Sequence, residues 1–145
     1  MDGVAARPFR LLMVTAVDSS VLMAIGKGED DYSAWLNLLE EQRSAGRLVV
    51  CEVVVAETSA LFHDPASVVP FLQDLQIEYE PLSSTAAILA GAIFKSYRRS
   101  GGPREHLIPD FLIGAHALRQ ADCLAAADRG YLRRHFPKLK VVAPS

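Results

Sequence analysis

Short apolar runs alternate with longer stretches of helical periodicity along the chain, beginning with the run from Leu11 to Val17. Brief apolar runs bounded by polar residues predict buried strands, whereas apolar residues spaced by three and four predict helices. We predict strands near residues 11–18, 47–51, 76–80, 122–127 and 139–142. We predict helices near residues 20–26, 31–45, 52–63, 65–75, 84–98, 109–120 and 129–135. Strands that alternate with helices indicate an α/β fold with a parallel sheet of about five strands.

Four acidic residues stand where an apolar run meets a predicted helix or turn: Asp18, Glu57, Asp110 and Asp128. Asp18 ends the first predicted strand, and Asp128 follows the apolar stretch of the fourth. Asp110 occupies the first turn of a helix, where capping and the helix dipole also favour an acid. Glu57 lies among apolar neighbours and would be costly to bury unpaired. Because parallel α/β sheets bind ligands at the carboxyl ends of their strands, we expect these acids to meet there.

Four ionised carboxylates repel one another strongly unless protons or cations are shared among them. Hard oxygen ligands with open coordination positions suit Mg²⁺ or Mn²⁺ better than zinc. Such ions activate water and neutralise the charge that develops when a phosphodiester is cleaved. The acids therefore predict metal-dependent hydrolysis of a nucleic-acid backbone.

At this point the sequence resembles the PIN domains, and most closely the VapC-type ribonuclease toxins of toxin–antitoxin pairs. Four segments carry the resemblance in family-like order and spacing: residues 17–22, 53–57, 108–117 and 127–131, the last followed by Phe136 and Pro137. Ala127 departs from the family pattern, which often has threonine or another polar residue before the last aspartate. The resemblance implies a three-layer PIN-like sandwich, with Asp18, Glu57, Asp110 and Asp128 as the metal-binding acids.

The resemblance also implies a function. We expect a Mg²⁺- or Mn²⁺-dependent endoribonuclease in which Asp18 and Asp110 bind the metal directly, while Glu57 and Asp128 complete the site directly or through water. A metal-activated water would attack the phosphodiester in line and leave a 5′-phosphate and a 3′-hydroxyl. The resemblance further implies a growth-inhibiting toxin, a cognate antitoxin that occupies the active-site groove, and a homodimer.

Each candidate residue also has a structural interpretation. Asp18 and Asp110 could be helix caps without chemistry, and Asp128 could belong to an ordinary turn. Glu52 competes with Glu57 for the role in the site, although on a helix the two would face different directions. Ser20 could hold Asp18 or a metal-bound water, or it could cap the helix, as could Ser19.

The net charge of −2 conceals an asymmetry, because residues 1–94 hold 5 basic and 13 acidic residues whereas residues 95–145 hold 10 and 4. Basic residues near an acidic metal site would help to hold a polyanion such as RNA. The alternative, equally weighted, is that they are solvated helix faces and helix C-terminal charges. The candidates for RNA binding are Arg98, Arg99, Arg104, Arg129, Arg133 and Arg134.

Length and hydropathy favour one domain over residues 13–145, since 145 residues can form a single core. Residues 1–12 are predicted to be an extension from an upstream start codon, because Met13 directly precedes the family-like strand. We also predict a cytoplasmic protein without a membrane span or signal peptide. Cys51 and Cys123 are predicted to be free thiols in the core. His116, two turns after Asp110, is expected to pack or to face a partner rather than act as a base.

Three other functions compete with a toxin nuclease. The first is a PIN-like module that binds RNA or protein without cutting, which the presence of all four acids argues against. The second is a housekeeping RNA-processing nuclease, which the absence of an adjacent antitoxin gene would favour. The third is a phosphoacceptor receiver domain, which would need a paired acid after the first strand and a lysine near the last. Asp18 has only serines beside it, so we discount the receiver domain.

Overall fold

A computed structural model describes residues 12–101, 108–127 and 130–145, and within them all strands belong to one parallel sheet. The strands are β1 (Met13–Val17), β2 (Gly46–Val50), β3 (Ile77–Tyr79), β4 (Cys123–Ala125) and β5 (Val141–Val142). The α-helices of the described residues are α1 (Ser19–Gly26), α2 (Tyr32–Ala45), α3 (Glu52–Ser59), α4 (Val68–Asp74), α5 (Ser84–Arg99), α6 (Ile108–Gln120) and α7 (Tyr131–His135), with a 3₁₀ turn at Pro65–Ser67. The predicted α/β fold, a central parallel sheet flanked by helices, is confirmed.

The order of the strands across the sheet is β3-β2-β1-β4-β5. The chain therefore builds outward from β1 to one edge and then returns to build β4 and β5 on the other side. This reversal creates a topological switch point between β1 and β4. The register aligns Val17 with Ala125 across that point, so both strands end at the same level. Residues that follow β1 and β4 consequently border one crevice.

Apolar strands form the centre of the core, as their composition predicts. Leu48, Val49 and Val50 of β2 are almost fully buried, and so are Cys123, Leu124 and Ala125 of β4. Strands covered on both faces read as continuous apolar runs, because neither face meets water. At the start of β2, Gly46 lies opposite Met13, whose backbone occupies the place that a Cβ at residue 46 would take.

Helix α6 is the most deeply buried helix and packs against α5, β1 and β4. Gly114 allows the ring of Phe136 to approach so closely that a Cβ on residue 114 would lie 2.5 Å from Cε2. Phe136 also packs near Phe111, with ring centroids 6.5 Å apart. The segment after β4 is thereby fixed against the helix that carries Asp110.

Most predicted boundaries agree with the structure to within about two residues, but the helix predicted over 52–63 ends at Ser59. The chain instead turns through Ala60 and Leu61 and reaches Asp64 in an extended conformation, with φ −103° and ψ 112°. Pro65 disfavours a helical conformation at the residue before it, which agrees with the extended conformation of Asp64. Asp64 then caps the 3₁₀ turn by accepting a hydrogen bond from the Ala66 amide, 3.1 Å long.

Two further predictions concern the core and the membrane. Cys51 and Cys123 are buried and free, which confirms the prediction of packed thiols. Across residues 12–101, 108–127 and 130–145, none of the helices has the length and apolar character needed to cross a membrane. Residues 1–11 lie outside the described residues, so their prediction as an extension stays a prediction.

Candidate active site at the carboxyl edge of the sheet

Asp18 lies at the end of β1, beside the switch point. Its backbone amide donates a 2.9 Å hydrogen bond to the Ala125 carbonyl at the end of β4. Its side chain caps α1, since Oδ2 accepts hydrogen bonds from the Ser20 amide (3.2 Å) and the Ser20 hydroxyl (2.5 Å). Helix capping, the structural interpretation of Asp18, is therefore observed. It also fixes the carboxylate over the crevice between β1 and β4.

Ser20 links the two sides of this crevice. Besides donating to Asp18, its hydroxyl oxygen accepts a hydrogen bond of 3.4 Å from the amide of Ala127. Ala127 follows β4 and immediately precedes Asp128, which lies outside the described residues. Asp18, rather than Ser20, is the helix cap, and Ser20 donates to Asp18; the predicted role of Ser20 in supporting a site stays a prediction. The placement of Asp128 stays a prediction.

Glu57 is half-buried in the last turn of α3. Its Oε1 accepts a 2.9 Å hydrogen bond from the hydroxyl of Ser19, the residue next to Asp18. Its competitor Glu52 is engaged elsewhere, because its Oε1 accepts a hydrogen bond from the Leu82 amide at 2.8 Å. The structure therefore places Glu57, and not Glu52, beside Asp18.

Asp110 is half-buried in the first turn of α6, as the sequence predicts. The positive end of the helix dipole favours a carboxylate there. The negative charge of Asp110 also acts on Glu57. Burial raises the pKa of Glu57, and the negative charges of Asp18 and Asp110 raise it further, while the hydrogen bond from Ser19 opposes the rise. Asp18 and Asp110 are therefore both close enough to Glu57 for their negative charges to act on it.

This concentration of charge suits a divalent cation. An ion among Asp18, Glu57 and Asp110 would offset the repulsion that raises the pKa of Glu57. Within the described part of the chain, no three acidic, histidine or cysteine side chains converge tightly enough to form a finished metal site. The raised pKa of Glu57 and the absence of a finished site are compatible, because they concern different distances. Ligands of one small ion lie roughly 4 Å apart or less, whereas charges interact over longer distances. Ligation would therefore require the carboxylates to rotate inward.

The predicted RNA-binding arginines divide into described and undescribed members. Arg98 and Arg99 are exposed in the last turn of α5, and Arg133 and Arg134 are exposed in the last turn of α7. Their positions fit the predicted helix C-terminal charges. Contact with phosphate stays a prediction, and Arg104 and Arg129 lie outside the described residues.

A second polar cluster surrounds His116, which is 1% exposed. Its Nε2 lies 3.1 Å from Oε1 of Glu80, and Gln120 donates to the same oxygen at 3.4 Å. Burial lowers the pKa of His116, and the negative charge of Glu80 opposes this change. The imidazole is packed, which confirms one of the two predicted alternatives. Its partner Glu80 carried no sequence motif that would have identified it.

Comparison with known proteins gives the family. The family model of the PIN domain matches residues 15–136, most of the chain. The chain belongs to the PIN domain family. PIN domains are generally nucleases that use divalent metal ions, so the family agrees with the class of chemistry predicted from the acids. No curated protein matches the chain significantly in sequence.

Solved structures confirm the fold at low sequence identity. A chain of VapBC2 from Rickettsia felis, bound to a DNA fragment from its promoter, is 15% identical with a TM-score of 0.71, covering 92% of this PIN domain chain and 100% of its own. VapBC-1 from nontypeable Haemophilus influenzae is 15% identical with a TM-score of 0.68, covering 90% and 98%. VapC20 from Mycobacterium tuberculosis, a sarcin-ricin loop cleaving toxin, is 15% identical with a TM-score of 0.63, covering 84% and 95%.

Proposed function

We propose that this PIN domain is a Mg²⁺- or Mn²⁺-dependent endoribonuclease and the toxin of a toxin–antitoxin pair. The observation that carries the proposal is that Glu57, hydrogen-bonded to the residue next to Asp18, lies near both Asp18 and Asp110 beside the switch point of the sheet, where their charges raise its pKa. A bound cation would offset the negative charge that destabilises the ionised form of Glu57, and perturbed carboxyl groups of this kind are typical of functional sites. Asp128, the residue directly after Ala127, whose amide Ser20 holds, would complete the set.

The chain's own residues would prepare the site for hydrolysis. A divalent ion would supply charge neutralisation and an activated water for attack on the phosphodiester. Ser20 holds the carboxylate of Asp18 through its hydroxyl and its amide. Ser19 holds Glu57, and helix α6 presents Asp110 from its first turn. These acids are held by separate elements, and rotation of their side chains would bring the carboxylates together around the ion.

A direct test is cleavage of a structured RNA by the purified protein in Mg²⁺ or Mn²⁺, with EDTA as a control. We expect Asp110→Asn to reduce kcat/KM by at least about 100-fold, in the range observed when one electrostatic group of an active site is removed. Asp74→Asn is the matched control, since Asp74 is exposed at the end of α4. Equal cutting by both variants would assign the activity to a contaminant. Absence of cutting by the wild type would favour a binding module.

The toxin role needs its own experiment. The structural neighbours from Rickettsia felis and Haemophilus influenzae are VapBC complexes, which supports a partner antitoxin for this chain. We expect expression of the chain to arrest bacterial growth, and co-expression of a small protein encoded beside it to restore growth. Growth arrest should vanish with Asp110→Asn. Harmless expression of an active nuclease would favour a housekeeping RNA-processing role.

Two accompanying proposals concern the state of the protein. We propose a homodimer, which size-exclusion chromatography with light scattering would detect as twice the chain mass of 15.8 kDa. We also propose a cytoplasmic location, which fractionation of cells that express the tagged chain would test. A monomer in solution would refute the first proposal without affecting the nuclease.

A further inference from the structure

A groove of about 450 Å³ lies between the end of helix α5 and helix α7, outside the acidic cluster. Ser96, Tyr97 and Ser100 line one wall, and Arg134 and His135 line the other. Its volume falls within the range of about 300–1,000 Å³ that small-molecule sites occupy. The groove is thus large enough for a single nucleotide.

The groove has the polarity of a site for an anion. Among the described residues that line it are one arginine, one histidine and two serines, but no carboxylate. Arg98 and Arg99 add two exposed cations in the adjoining turn of α5. The C-terminal carbonyls of α5 would repel an anion, and these arginines together with Arg134 outweigh that half charge.

The groove also offers one partly exposed aromatic ring. His135 is half-buried and meets the buried ring of Tyr97 edge to face, with centroids 5.0 Å apart. Single-stranded nucleic acids bind through aromatic rings that stack on bases and cations that hold phosphates. An acidic peptide would use the arginine but would gain little from the ring, so the combination favours a nucleotide.

The position of the groove connects it with the candidate active site. Phe111 contacts both rings of the groove, with centroid distances of 5.2 Å to Tyr97 and 5.6 Å to His135. Asp110 directly precedes Phe111 in α6, so the groove lies against the helix that carries that carboxylate. A strand of RNA cut at the acids could therefore extend into the groove.

We propose that the groove binds one nucleotide of the single-stranded RNA substrate, with its phosphate on Arg134 and its base against His135. This inference rests on the proposed function for the identity of the ligand. It adds a subsite that determines where along an RNA the acids act. An unpaired nucleotide at a fixed distance from the cut is the substrate feature that the subsite selects.

The test measures binding separately from cleavage. Fluorescence anisotropy would follow a labelled, unstructured RNA of about 12 nucleotides binding to Asp110→Asn protein in Mg²⁺ buffer. Adding Arg134→Gln should weaken binding roughly tenfold and lower the slope of log K against log salt by about 0.7, the value for one phosphate contact on a single strand. Arg43→Gln is the matched control, because Arg43 is exposed in the last turn of α2, where it borders Asp74 and Gln76 rather than the groove. It should leave both values unchanged.

A second variant tests the base contact. His135→Leu keeps an apolar side chain but removes the aromatic face, so it should weaken RNA binding severalfold without changing the salt slope. In the chain that retains Asp110, Arg134→Gln should raise KM with kcat nearly unchanged, as expected for lost substrate binding. Circular dichroism would verify that each variant keeps the fold.

The outcomes separate the two proposals. RNA binding that depends on Arg134 without any cleavage by the wild type would refute the nuclease and retain the groove. If the wild type cleaves RNA but Arg134→Gln and Arg43→Gln bind RNA equally well, the proposed subsite in the groove would be refuted and the proposed nuclease retained. If Arg134→Gln impaired binding of polyglutamate but not of RNA, the groove would be a protein-docking site and the proposal would be wrong.

Discussion

Replacing Gly114 with alanine tests how tightly the segment after β4 is held against helix α6. Alanine is favoured over glycine in a helix by about 1 kcal/mol. At residue 114, however, the new Cβ would lie 2.5 Å from Cε2 of Phe136. Carbon atoms in favourable contact are about 3.5–4.0 Å apart, so the ring would have to withdraw by roughly 1 Å. Phe136 is 1% exposed and has no solvent-facing side into which it could withdraw.

Gly91 provides a matched control. It lies in the middle of α5, is exposed, and has no atom within 4 Å of the place a Cβ would occupy. Gly91→Ala should therefore stabilise the protein by up to about 1 kcal/mol. Both substitutions gain the same helix propensity, so the difference between their effects isolates the collision with Phe136. Overpacking of a filled core costs about 1–3 kcal/mol, which is the expected difference.

Urea unfolding followed by circular dichroism would measure both variants against the wild type at equal temperature. Gly114→Ala should have the lower midpoint of the two, and its RNA cleavage should fall because α6 carries Asp110. If both alanines stabilised the protein equally, Phe136 would not be packed on Gly114, and the inferred anchoring of the segment after β4 would be wrong. A change in m for one variant only would indicate an altered denatured or native state.

Three other predictions follow from the described contacts. Ser19→Ala removes the hydrogen bond to Glu57 and should lower kcat/KM of RNA cleavage about tenfold, equivalent to about 1.4 kcal/mol; Ser59→Ala, whose hydroxyl binds the Ala56 carbonyl, should not. The pKa of His116 is lowered in the folded state, so below its ordinary value of 6.5 the unfolded chain takes up a proton more readily and the free energy of unfolding should fall. His116→Gln should reduce this loss of stability, measured by urea unfolding between pH 8 and pH 5. An unchanged dependence of stability on pH would contradict the prediction. Deletion of residues 1–12 should leave the thermal midpoint and RNA cleavage intact, and loss of either would show that the segment belongs to the domain.

The sequence was sufficient to predict the fold because its signals are local. Apolar runs marked the strands, and Asp18, Pro109 and Asp64-Pro65 marked positions where helices or turns begin. The acids could be placed at strand ends and helix starts for the same reason. Their meeting also required the order of the strands, which depends on contacts between distant parts of the chain.

Other parts of the site could not be read from the sequence. The contact between Ser19 and Glu57 joins residues 38 positions apart, and no periodicity encodes it. The grouping of Glu80 with His116 and Gln120 depends on how α6 crosses the end of β3. The close approach of Phe136 to Gly114 explains a helical glycine that propensity alone would disfavour. In each case the determinant is packing between elements rather than a pattern within one.

The lengths of the outer strands affect how copies of the chain can meet. The sheet ends in β3, which has three residues, on one side and in β5, which has two, on the other. Beside β3, the side chain of Arg47 pairs with Glu78 at 3.0 Å and places charge along that border. Short edge strands offer few unpaired backbone groups to a second sheet, and charged side chains beside them disfavour its approach. Both features protect a protein against aggregation through β-pairing. Self-association of this chain should therefore use the surfaces of its helices, and a stable dimer should leave its content of β-structure unchanged.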